Sequence, residues 1–178
     1  ELAQVSQYAE NVYFGKPSGL MDQAASALGG LVTIDFRRAE PQVENVDFDF
    51  AANGYALVVV GAGGNHADLT AEYAAIPTEM KEVAAAFGCK VLREVLPEQV
   101  EEGISSLKGK VSDRAIMRAL HFFDENARVK EQVEALRSGD INEFFRLIIA
   151  SGESSWKLLQ NVYVAGQTEE PLALALEM

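Results

Sequence analysis

Apolar residues recur along the chain with two different periods, and the change of period organises it. The opening stretch, ELAQVSQYAENVY, sets Leu2, Val5, Tyr8 or Ala9, and Val12 at helical spacing with no capping residue ahead of it, so it reads as the inside of a cut helix. Gly15, Pro17 and Gly19 break the pattern, which resumes over residues 20–28 as a short helix stopped by Gly29 and Gly30. Residues 31–36 (LVTIDF) and 43–50 (VENVDFDF) alternate apolar and polar positions and predict antiparallel strands on either side of a polar turn. Residues 55–62 (YALVVVGA) form a nearly continuous apolar, β-branched run, the pattern of a strand buried on both faces.

Further on, the helical period takes over. It predicts a helix over 68–87 that Pro77 kinks or divides, with Gly88 as its stop. A strand-like segment (KVLREV, 90–95) and a short helix over 97–104 follow. Residues 113–136 carry a 3.6-residue stripe of Ile116, Leu120, Phe123, Val129, Val133 and Leu136. Ser138-Gly139-Asp140 ends that helix and caps the next, over 141–159, with Glu143 placed as the capping-box partner of Asp140. Strands concentrated early and helices late predict an α+β architecture in two unequal parts, divided near Ala51-Ala52-Asn53-Gly54.

Composition narrows the functional classes. With 178 residues, 48% hydrophobic and 24% charged, the chain can build one core, or one domain and part of another. A formal net charge of -12 argues against nucleic acid and anionic membrane as partners, since both need clustered Lys and Arg. Cys89 is the single cysteine, so no intrachain disulfide can form, and a reducing cytoplasm is the expected compartment. No apolar run approaches the roughly 20 residues of a membrane span, and the basic-then-apolar layout of a signal peptide is missing.

The stretch AENVYFGKPSGLMDQAASALGG, residues 9–30, holds the most chemistry. Gly15 and Gly19 around Pro17 permit a tight loop close to a ligand, after which Asp22 emerges in the first turn of a helix, where the backbone dipole favours negative charge. Such a carboxylate serves as a cap, as a cation ligand, or as the group that accepts or orients a hydroxyl proton. A second constellation, GAGGNHADLTAEY, follows the apolar run. A glycine loop between strand and helix suggests a dinucleotide site, but the third glycine of GxGxxG is missing. His66 and His121 lie far apart without a nearby cysteine, a poor zinc pattern, and both read as structural.

Glu10-Asn11 followed by Gly-x-x-x-Gly-Leu-Met-Asp-Gln over 15–23 resembles the segment that carries the catalytic Asp of galactokinases, members of the GHMP small-molecule kinase superfamily. His66-x-x-Leu69 and Glu72-Tyr73 opening a helix, the HFFDENARV stretch at 121–129, and SGDINEFFRLIIASGESSW at 138–156 resemble later parts of the same family. The resemblance covers most of the chain and implies a GHMP-type α+β fold, with residues 1–52 completing an N-terminal domain and 53–178 forming most of a C-terminal one. It implies that Asp22 is the catalytic carboxylate at the sugar's anomeric hydroxyl, that Gly19 lies beside the sugar, and that Tyr73 lines the sugar pocket. Glu10 stands where the family contributes a magnesium ligand; as a residue it equally fits an exposed helix glutamate. The implied reaction transfers the ATP γ-phosphoryl group to the 1-hydroxyl of galactose, with Mg2+ as cofactor and ATP as co-substrate.

The chain departs from the family at one place and lacks three of its motifs. Many galactokinases have Ser-His where Ser151-Gly152 stands, and neither the phosphate-cradling Gly-Leu-Ser-Ser-Ser-Ala loop nor the glycine-rich Gly-Gly-Gly-Phe segment occurs. The N-terminal motif with an Arg and acidic sugar ligands is also absent. The expectation is a fragment of a kinase, inactive alone, with a shortened inactive relative as the other explanation. A non-catalytic galactose sensor, a kinase for a related sugar and a helical interaction domain are the competing functions.

Overall fold

A computed structural model describes residues 1–15, 18–62, 69–164 and 166–178. The expectations for Pro17, for Gly63 and Gly64 of the glycine loop, and for His66 lie outside the described residues. The chain falls into two compact units, Glu1–Tyr55 with Val133–Asp140, and Ala56–Gln132 with Ile141–Met178. Helices and a single antiparallel strand pair among the described residues make it α+β, as the sequence predicts.

In the first unit, helix α1 (Leu2–Tyr8) runs into a widened π turn (Ala9–Tyr13), where the Phe14 N–H reaches back five residues to the Ala9 carbonyl at 3.3 Å. The predicted apolar stripe is real but faces outward, with Leu2, Val5, Tyr8 and Val12 all more than half exposed. Helix α2 (Met21–Leu28) packs on α1 and stops where Gly29 and Gly30 take φ of 70° and 64°, conformations that a Cβ would disfavour. Strands β1 (Val32–Asp35) and β2 (Gln42–Asn45) then pair antiparallel, Val32 opposite Asn45 and Asp35 opposite Gln42. The turn between them starts where the Asp35 carboxylate accepts the Arg37 N–H at 2.8 Å. Both strands are shorter than predicted. After Val46 donates to the Leu31 carbonyl at 2.9 Å and buries its side chain, the chain leaves the ladder, and Phe48 stacks edge-on against Phe50 instead.

The second unit corrects two predicted strands. Residues 55–60 are not a buried strand: they carry no regular structure, and Leu57, Val58, Val59 and Val60 are 95%, 73%, 88% and 79% exposed. A strand needs a neighbour for its backbone groups, and none of the described residues pairs with this run. Residues 90–95 likewise form a 3₁₀ turn (Leu92–Glu94), not a strand. The reason is the spacing of burial: Leu92 and Val95, three apart, both point into the core, whereas Val91 is exposed.

Helix α3 (Thr70–Ala86) passes Pro77 without dividing. Helix α4 (Pro97–Leu107) is longer than predicted; Pro97 suits its first turn, and the side-chain Oε1 of Gln99 accepts the Leu96 N–H at 3.0 Å. Helix α5 (Asp113–Ser138) is capped by Ser112, whose hydroxyl accepts the Ala115 N–H at 3.0 Å. It ends at Gly139 with φ 76°, where the Asp140 N–H returns to the Ala135 carbonyl at 2.8 Å, as the Ser-Gly-Asp signal predicts. Helix α6 (Ile141–Ser154) continues through a second π turn (Ser155–Leu159), and α7 (Pro171–Glu177) follows. The core of this unit joins Val83 and Ala84 of α3, Leu92 and Val95, Val100 and Leu107 of α4, and Ala115, Ile116 and Ala119 of α5.

Candidate functional site

The loop between the π turn and α2 is fastened at Ser18, from both sides. Its N–H donates to Asn11 Oδ1 at 2.8 Å, and its carbonyl accepts from Gln7 Nε2 at 3.2 Å and Asn11 Nδ2 at 3.3 Å. Its hydroxyl donates to Asn11 Oδ1 at 3.3 Å and accepts from Gln23 Nε2 at 3.5 Å. Five hydrogen bonds thus converge from α1, the π turn and α2 on the residue next to Gly19. Gly15, at φ 64°, supplies the left-handed bend with which the loop begins. Gly19 needs no such conformation, and a Cβ built on it would meet nothing within 4 Å, so open space lies beside its backbone.

Asp22 occupies the first turn of α2, exposed, and does not cap it. No hydrogen bond or ion pair to Asp22 occurs among the described residues, so its carboxylate is uncommitted. Glu10 belongs to the π turn and is half-buried. Gln23, adjacent to Asp22, donates Nε2 to Glu10 Oε1 at 2.8 Å and so ties the glutamate to the first turn of α2. The first unit therefore brings together Glu10, Gly19 and Asp22 around one loop. The sequence pointed to those three, but not to Ser18 and Gln23 as the groups that hold them; a polar residue on each side of a glycine loop was the only available signal.

Tyr73 lies in the second unit, in the first turns of α3, about half exposed. It lines a cavity of about 570 Å³ together with Glu72, Ile76, Arg118, Asn161 and Tyr163. Arg118, 1% exposed, is held there by two groups of the same unit, donating Nε to the Leu159 carbonyl at 2.9 Å and Nη1 to Glu79 Oε2 at 3.0 Å. Glu79 also pairs with Arg114, so a single carboxylate offsets two guanidiniums. The second π turn matters here, since its end at Leu159 presents the carbonyl that Arg118 takes.

His121 is buried, and its Nδ1 lies 2.9 Å from the Ser154 hydroxyl, which joins α5 to α6. Burial pushes its imidazole below the ordinary value; Arg128 pushes the same way, while Glu125 and Asp124 oppose. That is the setting of a structural histidine. Among the described residues, no group of three or more His, Cys, Asp and Glu side chains could hold a metal alone. A Mg2+ ion, however, is commonly held by only one or two carboxylates together with substrate phosphate oxygens, and Glu10 is the carboxylate that the family resemblance assigns to that role.

No protein-family model matches the chain. Among curated proteins it is 36% identical over 157 residues to the galactokinase of Actinobacillus pleuropneumoniae serotype 5b (strain L20), which covers 86% of this chain and 39% of that protein. It is 37% identical to the galactokinase of Glaesserella parasuis serovar 5 (strain SH0165) and 36% identical to that of Haemophilus influenzae (strain PittEE), over the same share of the chain. Its fold is similar to that in the crystal structure of Lactococcus lactis galactokinase complexed with galactose, with a TM-score of 0.74 and 24% identity, over 91% of this chain and 42% of the other. The chain spans about two fifths of the length of these curated relatives. No helix among the described residues is long and apolar enough to cross a membrane.

Proposed function

We propose, for a chain that is a relative of the galactokinases over most of its own length, that the full-length protein is a sugar kinase transferring the ATP γ-phosphoryl group to the 1-hydroxyl of galactose. The observation that carries this reading is the uncommitted Asp22 carboxylate in the first turn of α2, beside the open backbone of Gly19, within the segment that resembles the catalytic-Asp region of that family. Asp22 accepts or orients the proton of the anomeric hydroxyl as the oxygen attacks phosphorus. Because it makes no hydrogen bond among the described residues, none of those contacts must be broken before it takes one from the sugar.

Gly19 lets the sugar approach the backbone, and the Ser18 links keep that backbone in place before the sugar arrives. Glu10 holds Mg2+, which when bound neutralises charge on the phosphate oxygens. Tyr73 offers a ring face and a hydroxyl to a pyranose in its own cavity. The residues described here do not include a loop that cradles the triphosphate, so the roles assigned to them concern the acceptor and the metal.

The test is phosphorus NMR of the full-length protein with ATP, Mg2+ and a panel of galactose, N-acetylgalactosamine and glucose. An anomeric sugar phosphate formed fastest from galactose is expected. Transfer to another sugar in preference would reassign the substrate, and galactose binding without any transfer would leave a sensor instead of an enzyme.

A further inference from the structure

We propose that Gln23 is a positioning residue, whose amide sets the orientation of the Glu10 carboxylate and thereby the metal affinity of the site; this rests on the reading of Glu10 as a metal ligand given above. The geometry starts from the π turn. The turn Ala9–Tyr13 carries Glu10, and a 2.8 Å hydrogen bond from Gln23 Nε2 to Glu10 Oε1 links two residues thirteen positions apart. The same Nε2 reaches the Ser18 hydroxyl at 3.5 Å, so a single amide faces both the carboxylate and the loop beside Gly19.

The amide cannot be reversed, because its carbonyl oxygen would then face the Glu10 carboxylate. In the observed orientation Gln23 Oε1 is shut off from solvent and accepts no hydrogen bond from the described residues, a cost that an apolar side chain of the same size would not carry. The contact that offsets that cost is the charge-assisted one to Glu10. Polar groups that fix a carboxylate ligand in this way tune metal affinity by about 10- to 100-fold.

The experiment compares the full-length protein with its Gln23→Leu, Gln23→Glu and Glu10→Gln variants. Mn2+ affinity is measured by electron paramagnetic resonance with a non-hydrolysable ATP analogue present, and melting temperature is recorded alongside. Gln23→Leu and Gln23→Glu are expected to weaken Mn2+ binding about tenfold, with the melting temperature little changed and Glu10→Gln weakening it further. Normal Mn2+ affinity in both Gln23 variants, with Glu10→Gln impaired, overturns the positioning role and leaves Glu10 as a ligand. Normal affinity in Glu10→Gln overturns both, and a loss in the Gln23 variants matched by a large fall in melting temperature shows a structural role only.

Discussion

At the scale of the residue, Gly19 gives a clean separation of folding from function. Its backbone needs no left-handed conformation, and a Cβ there meets only open space, so Gly19→Ala should leave the melting temperature within about a degree of the parent. The same methyl group projects into the space proposed for the sugar, and calorimetry should show galactose affinity at least about tenfold weaker. Unchanged affinity would remove Gly19 from the site. The sequence singles out Asp22, Glu10 and Gly19 through the resemblance of residues 10–23 to a family segment; the local features alone, glycines around a loop and a carboxylate after it, fit a helix cap equally well. It concealed the Gln23 to Glu10 link because that contact joins two elements, the π turn at Ala9–Tyr13 and helix α2, and no local spacing reports which side chains meet across a loop.

At the scale of the element, the contact between α5 and α6 turns on His121. The buried imidazole is paired with the Ser154 hydroxyl and has its pKa lowered, chiefly by burial and then by Arg128, against the pull of Glu125 and Asp124. The nearby carboxylate of Glu125 is itself engaged, by Arg128 and by the Ser151 hydroxyl at 2.6 Å. With the folded pKa depressed, the unfolded chain binds a proton more readily. The stability this site contributes is therefore full above the unfolded value near 6.5 and is lost as pH falls below it toward the folded value. Urea unfolding between pH 7.5 and 5 should show that loss, and His121→Gln should flatten it; an equally steep profile in the variant would place the titration elsewhere. Helix ends were the most legible elements: the Ser138-Gly139-Asp140 stop and the Gly29-Gly30 stop fall where the residues demand. The strands at 55–62 and 90–95 were misread, because an apolar β-branched run reports what a segment would bury and not whether a neighbour exists to pair with it. For Leu92 and Val95 the buried spacing of three, not the apolar content, decided the conformation.

At the scale of the whole molecule, the chain resembles galactokinases over 86% of its length while spanning 39% of a relative. The residues proposed for the acceptor hydroxyl, Gly19 and Asp22, lie in one unit and Tyr73 in the other, and the α+β balance agrees with the period change read from the sequence. The central claim is that Asp22 supplies the chemistry and not merely the shape of a sugar site. The measurement that tests it most directly is the turnover of Asp22→Asn in the full-length protein, with galactose affinity by calorimetry on the same sample. Loss of at least about 100-fold in kcat with galactose affinity largely retained is expected; near-normal turnover would contradict the assignment.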